Sequence, residues 1–219
     1  MAAGIRVCTL CRLCESRTHA VPGEGPADAT LVLLGEAPGR HEDQQGRPFV
    51  GMSGRFLDGL LQRTGLDRQR VFITGSVKCR PPANRCPRSD ELAICRKAWL
   101  APQIACVRPE LIVLMGLTAL RQAMGITPAP VPRERPSARI GRSRPSADAL
   151  LARSLQGLLP DWPAGPVRLD SLHGRLIDTP LGRSFITYHP ASAMRFKAPR
   201  ANMEADFAQL SAIIVRGAS

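Results

Sequence analysis

Four cysteines, Cys8, Cys11, Cys79 and Cys95, bracket a block that runs from Gly35 to Gly51 and is rich in glycine, proline and carboxylates. Cys8-Thr9-Leu10-Cys11 puts two soft thiolate donors on one tight turn, and Cys79 and Cys95 add two more from far downstream. A site closed by such distant donors is tetrahedral and thiolate-rich, which suits zinc or an iron–sulfur cluster. Cys11-Arg12-Leu13-Cys14 is also a CxxC pair, so the N-terminal donors could be Cys11 and Cys14 instead. Cys86 and Cys106 read as plain thiols. The block between the cysteines has the composition of a loop whose backbone passes close to a ligand.

Three further motifs could carry chemistry. Glu36 follows an apolar run, where a carboxylate can orient an attacking water or stabilise a developing cation; the alternative is a structural carboxylate. Phe49, set between Pro48 and Gly51 in a chain poor in aromatics, can stack on a planar base or simply fill a core. Tyr188-His189-Pro190-Ala191-Ser192-Ala193-Met194-Arg195 places a histidine after a second apolar run, suited to donate to a developing oxyanion. In Lys78-Cys79-Arg80-Pro81-Pro82-Ala83-Asn84-Arg85 a cysteine donor stands among three basic residues in a stiff loop, and Lys78, Arg80 and Arg85 are candidates for phosphate contact.

These motifs need a scaffold. Thr30–Leu34, Arg70–Thr74, Glu110–Met115 and Ser184–Tyr188 read as strands. Helices are expected from Ser53 to Gly65, from Ser89 through Trp99 with a kink at Pro102, after Met115 through Leu120, and from Ala201 to Val215. Strands alternating with helices indicate a parallel α/β sheet covered on both faces. Ligands of such sheets bind beyond the carboxyl ends of the strands, where Gly35-Glu36, Gly75-Ser76 and His189-Pro190 all fall. Ile126 to Pro166 is different, with repeated Pro, Arg and Ser. It reads as a mostly flexible insertion holding one helical patch, Asp148 to Leu159, able to dock on the body.

The 219 residues suit a single domain, 1–219. No apolar run reaches membrane-spanning length, and residues 1–20 hold no apolar signal segment. A cytoplasmic monomer with reduced thiols and no membrane contact is expected. The formal net charge is +12, and only three of the thirty basic residues are lysine. Arginine excess can reflect codon bias, but a protein this basic still binds polyanions, nucleic acid above all.

Together the motifs resemble the family 4, iron–sulfur uracil–DNA glycosylases. The resemblance rests on Cys8–Leu13, Gly35–Gly39, Gly46–Gly51, Val77–Pro82 and Tyr188–Ala191 in that order. It implies a three-layer α/β/α sandwich with a central, mainly parallel sheet. It also implies a [4Fe-4S] cluster held by Cys8, Cys11, Cys79 and Cys95, where spacing alone leaves zinc open. It assigns Glu36 as the catalytic carboxylate and His189 as the group facing the uracil O2. Phe49 would stack on the flipped base, and the backbone at Ala37 would approach the same oxygen. The implied substrate is DNA containing uracil or another deaminated base, and the product an abasic site.

Three departures stand out. Where the family has a base-reading asparagine after the second strand, this chain has Gly75, so Ser76, the backbone or a water would have to read the base edge. Ala193 is small, so Met194, beside Arg195, would fill the gap left by the extruded base. The 126–166 insertion is longer than the family's loop. A different class, a non-catalytic iron–sulfur DNA-binding protein on the same scaffold, is the competing reading. A zinc-ribbon module is disfavoured because its ligand pairs would lie closer in sequence.

Overall fold

The computed structural model describes residues 1–126, 146–159 and 167–217. In chain order its elements are α1 (Ala2–Arg6), β1 (Leu31–Gly35), α2 (Arg40–Gln45), α3 (Met52–Arg63), β2 (Phe72–Gly75), α4 (Ser89–Cys95), α5 (Ala101–Val107), β3 (Leu111–Met115), α6 (Leu117–Ala123), α7 (Ala147–Leu158), β4 (Leu176–Thr179), β5 (Gly182–Thr187), α8 (Pro190–Arg195) and α9 (Lys197–Gly217).

The sheet order is β2-β1-β3-β5-β4. The first four strands run parallel, and β4 closes one edge antiparallel to β5. β1 and β3 are buried at every position, as expected of central strands covered on both faces. Side chains alternate across the sheet. Val32, Leu34, Ile112, Leu114 and Ile186 meet Leu100 and Ile104 around α5, Leu120 of α6, and Leu151 and Leu155 of α7. Leu31, Leu33, Ile73, Val113 and Phe185 meet Leu57, Leu60 and Leu61 of α3 and Met203, Phe207 and Leu210 of α9. The result is the three-layer α/β sandwich expected from the strand and helix pattern. A third, smaller cluster joins Ile5, Leu13, Ala20, Val77 and Leu92 around Cys79 and Cys95, and ties the N-terminal segment to the body.

Several boundaries differ from the expectations. Gly51, not Ser53, is the N-cap of α3. The helix through Pro102 passes it by way of a π-turn at Arg96–Leu100, so the bond that proline cannot donate is already displaced from the ordinary ladder. The helical patch expected at Asp148–Leu159 is α7, and Leu151 and Leu155 are fully buried, so it does dock. The expectation of flexibility for the rest of 126–166 falls almost wholly on residues outside those described. No helix among the described residues is long and apolar enough to cross a membrane.

Candidate active site

The carboxyl ends of β1, β2 and β5 open onto one cleft of about 710 Å³. Glu36 and Ala37 leave β1, Gly75 ends β2, and His189 follows β5. The loop carrying Phe49 forms the opposite wall.

Glu36 is held by its backbone and its side chain. Its carbonyl accepts from Val77 N at 3.2 Å, extending the pairing of β1 with β2. Its Oε2 accepts from Thr118 Oγ1 at 2.7 Å. Thr118 comes from the first turn of α6, so β3 also contributes to the site through its following helix. One carboxylate oxygen is thereby fixed, and the Cys86 thiol, which lines the same cleft, also hydrogen-bonds the carboxylate. The Glu36 charge, together with burial, pushes the Cys86 thiol up, which keeps that neighbour neutral.

His189 caps α8: the Ala191 N–H donates to Nδ1 at 3.2 Å. A nitrogen that accepts carries no proton, so the neutral ring bears its hydrogen on Nε2. Burial lowers the His189 pKa, and Glu36 and Glu42 only partly oppose it. The ring is therefore neutral at neutral pH and presents one donor. Ala37 also lines the cleft, and among the described residues its N–H makes no hydrogen bond.

The Phe49 ring lies 5.9 Å from that of His189, tilted by 35°. Its backbone has φ +51°, in the left-handed region. Two glycines make room: a Cβ at Gly35 would stand 2.6 Å from Phe49 Cζ, and one at Gly54 would stand 1.8 Å from the Phe49 carbonyl oxygen. Glu42 fastens the loop, accepting from Gly39 N, Val50 N and Gly51 N at 3.1, 3.0 and 2.9 Å. Arg68 donates to the Pro48 carbonyl at 2.8 Å. The ring is thus pinned from below and from both flanks.

The expected base-reading and DNA-contacting residues fare unevenly. Gly75 lines the cleft. Ser76 does not: its side chain is fully buried and donates to the Gly35 carbonyl at 2.7 Å, because one step along the strand turns it to the other face. Ser76 is therefore withdrawn as a base reader. Lys78 is also corrected. It is 2% exposed, and its Nζ turns inward onto Thr74 Oγ1, Gln103 Oε1 and the Gly75 carbonyl at 2.5, 2.7 and 3.1 Å. It cannot reach a phosphate. Arg85 lines the cleft, but both its terminal nitrogens are engaged by Glu91, at 2.8 and 2.6 Å. Arg80 donates to Asn84 Oδ1 at 2.7 Å and so stiffens the loop.

Arg195 lines the cleft mouth and is exposed. Met194 is 40% exposed, yet the apolar residue of this segment that reaches the cleft is Phe196, 62% exposed. Sequence reasoning missed Phe196, Thr118 and the exposed Arg40, which also lines the mouth. A basic or aromatic residue just past a strand–turn motif was the available signal for the first and last. Thr118 had none, because only the sheet order brings it to Glu36.

On the far side of β2, Cys8, Cys11, Cys79 and Cys95 line one pocket together with Trp99; Cys14 does not line it. Arg17 donates to Cys79 Sγ at 3.0 Å and Trp99 Nε1 to Cys8 Sγ at 3.1 Å. Burial pushes the Cys95 thiol up to about 12 and raises Cys79 and Cys11 too. Arg17 and Lys78 partly oppose this, and the N–H···S contacts are those a thiolate ligand attracts. Among the described residues no three His, Cys, Asp or Glu groups converge closely enough to hold a single ion, though the four cysteines line one pocket. The donor set fits a thiolate-bound metal group.

Comparison with known proteins gives the same direction. Residues 22–211 match the family model described as the uracil DNA glycosylase superfamily. A type-4 uracil-DNA glycosylase of Pyrobaculum aerophilum is 35% identical over 204 residues, 93% of this chain and 88% of its own. The type-4 enzymes of Saccharolobus solfataricus and Thermotoga maritima are 46% and 47% identical over 53% of this chain. Those two matches span 54% and 60% of the relatives' own lengths.

Proposed function

The chain belongs to the uracil DNA glycosylase superfamily, among its type-4 members, and from that premise we propose that it hydrolyses the N-glycosidic bond of uracil in DNA. The observation that carries this reading is the meeting of Glu36, Phe49 and a neutral, Nε2-protonated His189 in one cleft at the strand ends.

The target base must leave the stack before the bond can be reached. Phe49 offers it a ready face. As the bond from the base N1 to the sugar C1′ lengthens, negative charge gathers on the base oxygens and positive charge on the sugar. His189 Nε2–H and the Ala37 N–H would donate to the oxygen. Glu36, with one oxygen fixed by Thr118, holds water with the other and balances the cation. Water adds its oxygen to C1′, its proton ends on the departing uracil, and an abasic site remains. Bound at the cysteines, a [4Fe-4S] cluster would supply a cross-link between the N-terminal segment and the loop after β2 rather than a reagent. The four cysteine donors suit such a cluster, and a single zinc ion as well.

Base choice is the finer question. Gly75 holds the place of the family's asparagine, and a Cβ there would stand 2.9 Å from the Val77 carbonyl oxygen. That atom is backbone, in a residue whose N–H is held by the Glu36 carbonyl, so the cleft is built around the glycine. With Ser76 turned away, the base edge is left to the backbone or to water, which supports slower or less selective excision of uracil and admits other deaminated bases. Gly75→Asn is expected to lower uracil excision and melting temperature together, by overpacking worth roughly 1–3 kcal/mol. A rise in excision of uracil relative to hypoxanthine would instead mean that Val77 yields.

Association with DNA should weaken steeply with salt. Each phosphate contact adds about 0.9 to the slope of log K against log salt on duplex DNA. Arg195→Gln is expected to reduce that slope by about one, read from titrations at several salt concentrations. Lys78→Gln is expected to leave it unchanged.

The test of the reaction is a strand-cleavage assay on single- and double-stranded oligonucleotides carrying uracil, hypoxanthine or xanthine. Alkali-labile sites at uracil are the expected result. Tight binding without any base release would favour the DNA-binding reading instead.

A further inference from the structure

Lys78 is a cation without an anion. It is among the largest fully buried side chains of the protein, and its three hydrogen-bond acceptors, Thr74 Oγ1, Gln103 Oε1 and the Gly75 carbonyl, are all neutral. Among the described residues no carboxylate pairs with it. An isolated buried ammonium is costly, and such groups persist beside an opposite charge. The nearest source of negative charge is sulfur: Lys78 lines the same pocket as Cys8, Cys11, Cys79 and Cys95.

A second cation approaches from the other side. Arg17 donates to Cys79 Sγ at 3.0 Å, and its other bonds go to the Cys8 and Arg6 carbonyls, which are neutral. The carboxylates nearest this lobe are committed elsewhere, Glu91 to Arg85 and Asp90 to Arg12. Four thiolates around one zinc ion leave two negative charges. Four thiolates around an oxidised [4Fe-4S] core leave two as well. Two cations without carboxylate partners thus face a site of two negative charges.

We infer that Lys78 and Arg17 are the counter-ions of an anionic four-thiolate metal centre. The inference rests on the cysteines holding a metal and not on any base-excision activity. It accounts for a lysine in a basic loop turning away from DNA. Lys78 lines the cysteine pocket and bonds the carbonyl of Gly75, which lines the cleft, so one hydrogen bond links the centre to the cleft.

The variants are Lys78→Gln, Lys78→Met and Arg17→Gln in the full-length, metal-loaded protein. Glutamine keeps hydrogen-bonding capacity at position 78 and removes only the charge. The measurements are metal per chain by elemental analysis and the rate of metal release to a chelator at fixed pH. If the metal is iron, the reduction potential is measured too. Loss of an outer partner of a metal site typically costs roughly 10–100-fold in affinity. Release is expected to quicken to that extent in Lys78→Gln and Lys78→Met alike, and also in Arg17→Gln. The potential should move negative, since a lost positive charge disfavours adding an electron. Release from Lys78→Gln at the wild-type rate would show that hydrogen bonding alone matters and would overturn the inference. So would wild-type release from Arg17→Gln, which stands as the test if neither Lys78 variant folds. A protein that purifies and refolds without any bound metal would overturn it as well. None of these readouts involves uracil, so failure here leaves the glycosylase reading untouched, and loss of excision leaves this one untouched.

Discussion

Replacing Glu36 with glutamine is expected to slow single-turnover excision of uracil by roughly 10²–10⁴-fold, the usual worth of a positioned acid–base group. Glutamine keeps the shape and can still accept from Thr118 Oγ1 at 2.7 Å, so the cleft should stay intact. What it loses is the charge that balances the sugar cation and strengthens the hold on the attacking water. Affinity for uracil-containing DNA should barely change, because Glu36 sits in the cleft and not among the arginines at its mouth. A Glu36→Gln enzyme with the wild-type single-turnover rate would remove this residue from the mechanism. The same assay run across pH bears on His189. Burial lowers its pKa, so the ring stays neutral as pH falls through the ordinary histidine range and protonates only below it. The wild-type profile should therefore show no histidine inflection near ~6.5.

Replacing Cys79 or Cys95 with alanine is expected to strip the metal and unfasten the N-terminal segment. Both residues are buried, and few apolar side chains share their cluster: Ile5, Leu13, Ala20, Val77 and Leu92. That is too small a core to hold twenty residues unaided. Structural thiolate-bound zinc contributes about 10–16 kcal/mol in small domains, so its loss outweighs anything the remaining contacts supply. The variants should be colourless, with the broad absorbance near ~400 nm gone, poorly soluble, and cut by protease within the first twenty residues. Cys86→Ala and Cys106→Ala should keep the metal, since both thiols are exposed and neither lines the pocket. Iron lost from Cys14→Ala and retained in Cys8→Ala would move the N-terminal donor pair by one turn.

Much of this site can be read from the chain because of where the strands end. β1 and β5 are apolar runs, and the residue types just beyond them, Glu36 and His189, are chemically loud. Phe49 is legible for the same reason in a glycine-rich block. Residues whose roles depend on register or sheet order are not legible. Ser76 and Gly75 differ by one position, and only the pairing of Gly35 with Gly75 decides which faces the cleft. Thr118 reaches Glu36 because β3 lies beside β1, which local sequence does not encode. α2, Arg40–Gln45, carries no apolar residue, so periodicity cannot reveal it; Gly39 and Glu42 hold its first turn. β4 is a short edge strand whose partner comes later in the chain. Lys78 misleads because charge usually signals surface, and only the neighbouring sulfurs give it a reason to be inside.

The backbone at Phe49 sets two selective pressures against each other. A phenylalanine at φ +51° holds a conformation that costs roughly 1–3 kcal/mol, and glycine would hold it almost freely. In exchange the ring is already fixed over Gly35 when a base arrives, so the roughly 0.5–1.5 kcal/mol normally lost in immobilising a contact side chain is not lost on binding. Heat tolerance and base capture therefore pull apart at this position. A lineage under thermal stress alone would gain by relaxing residue 49 toward glycine or asparagine, and on the proposed function only the need to capture a flipped base opposes it.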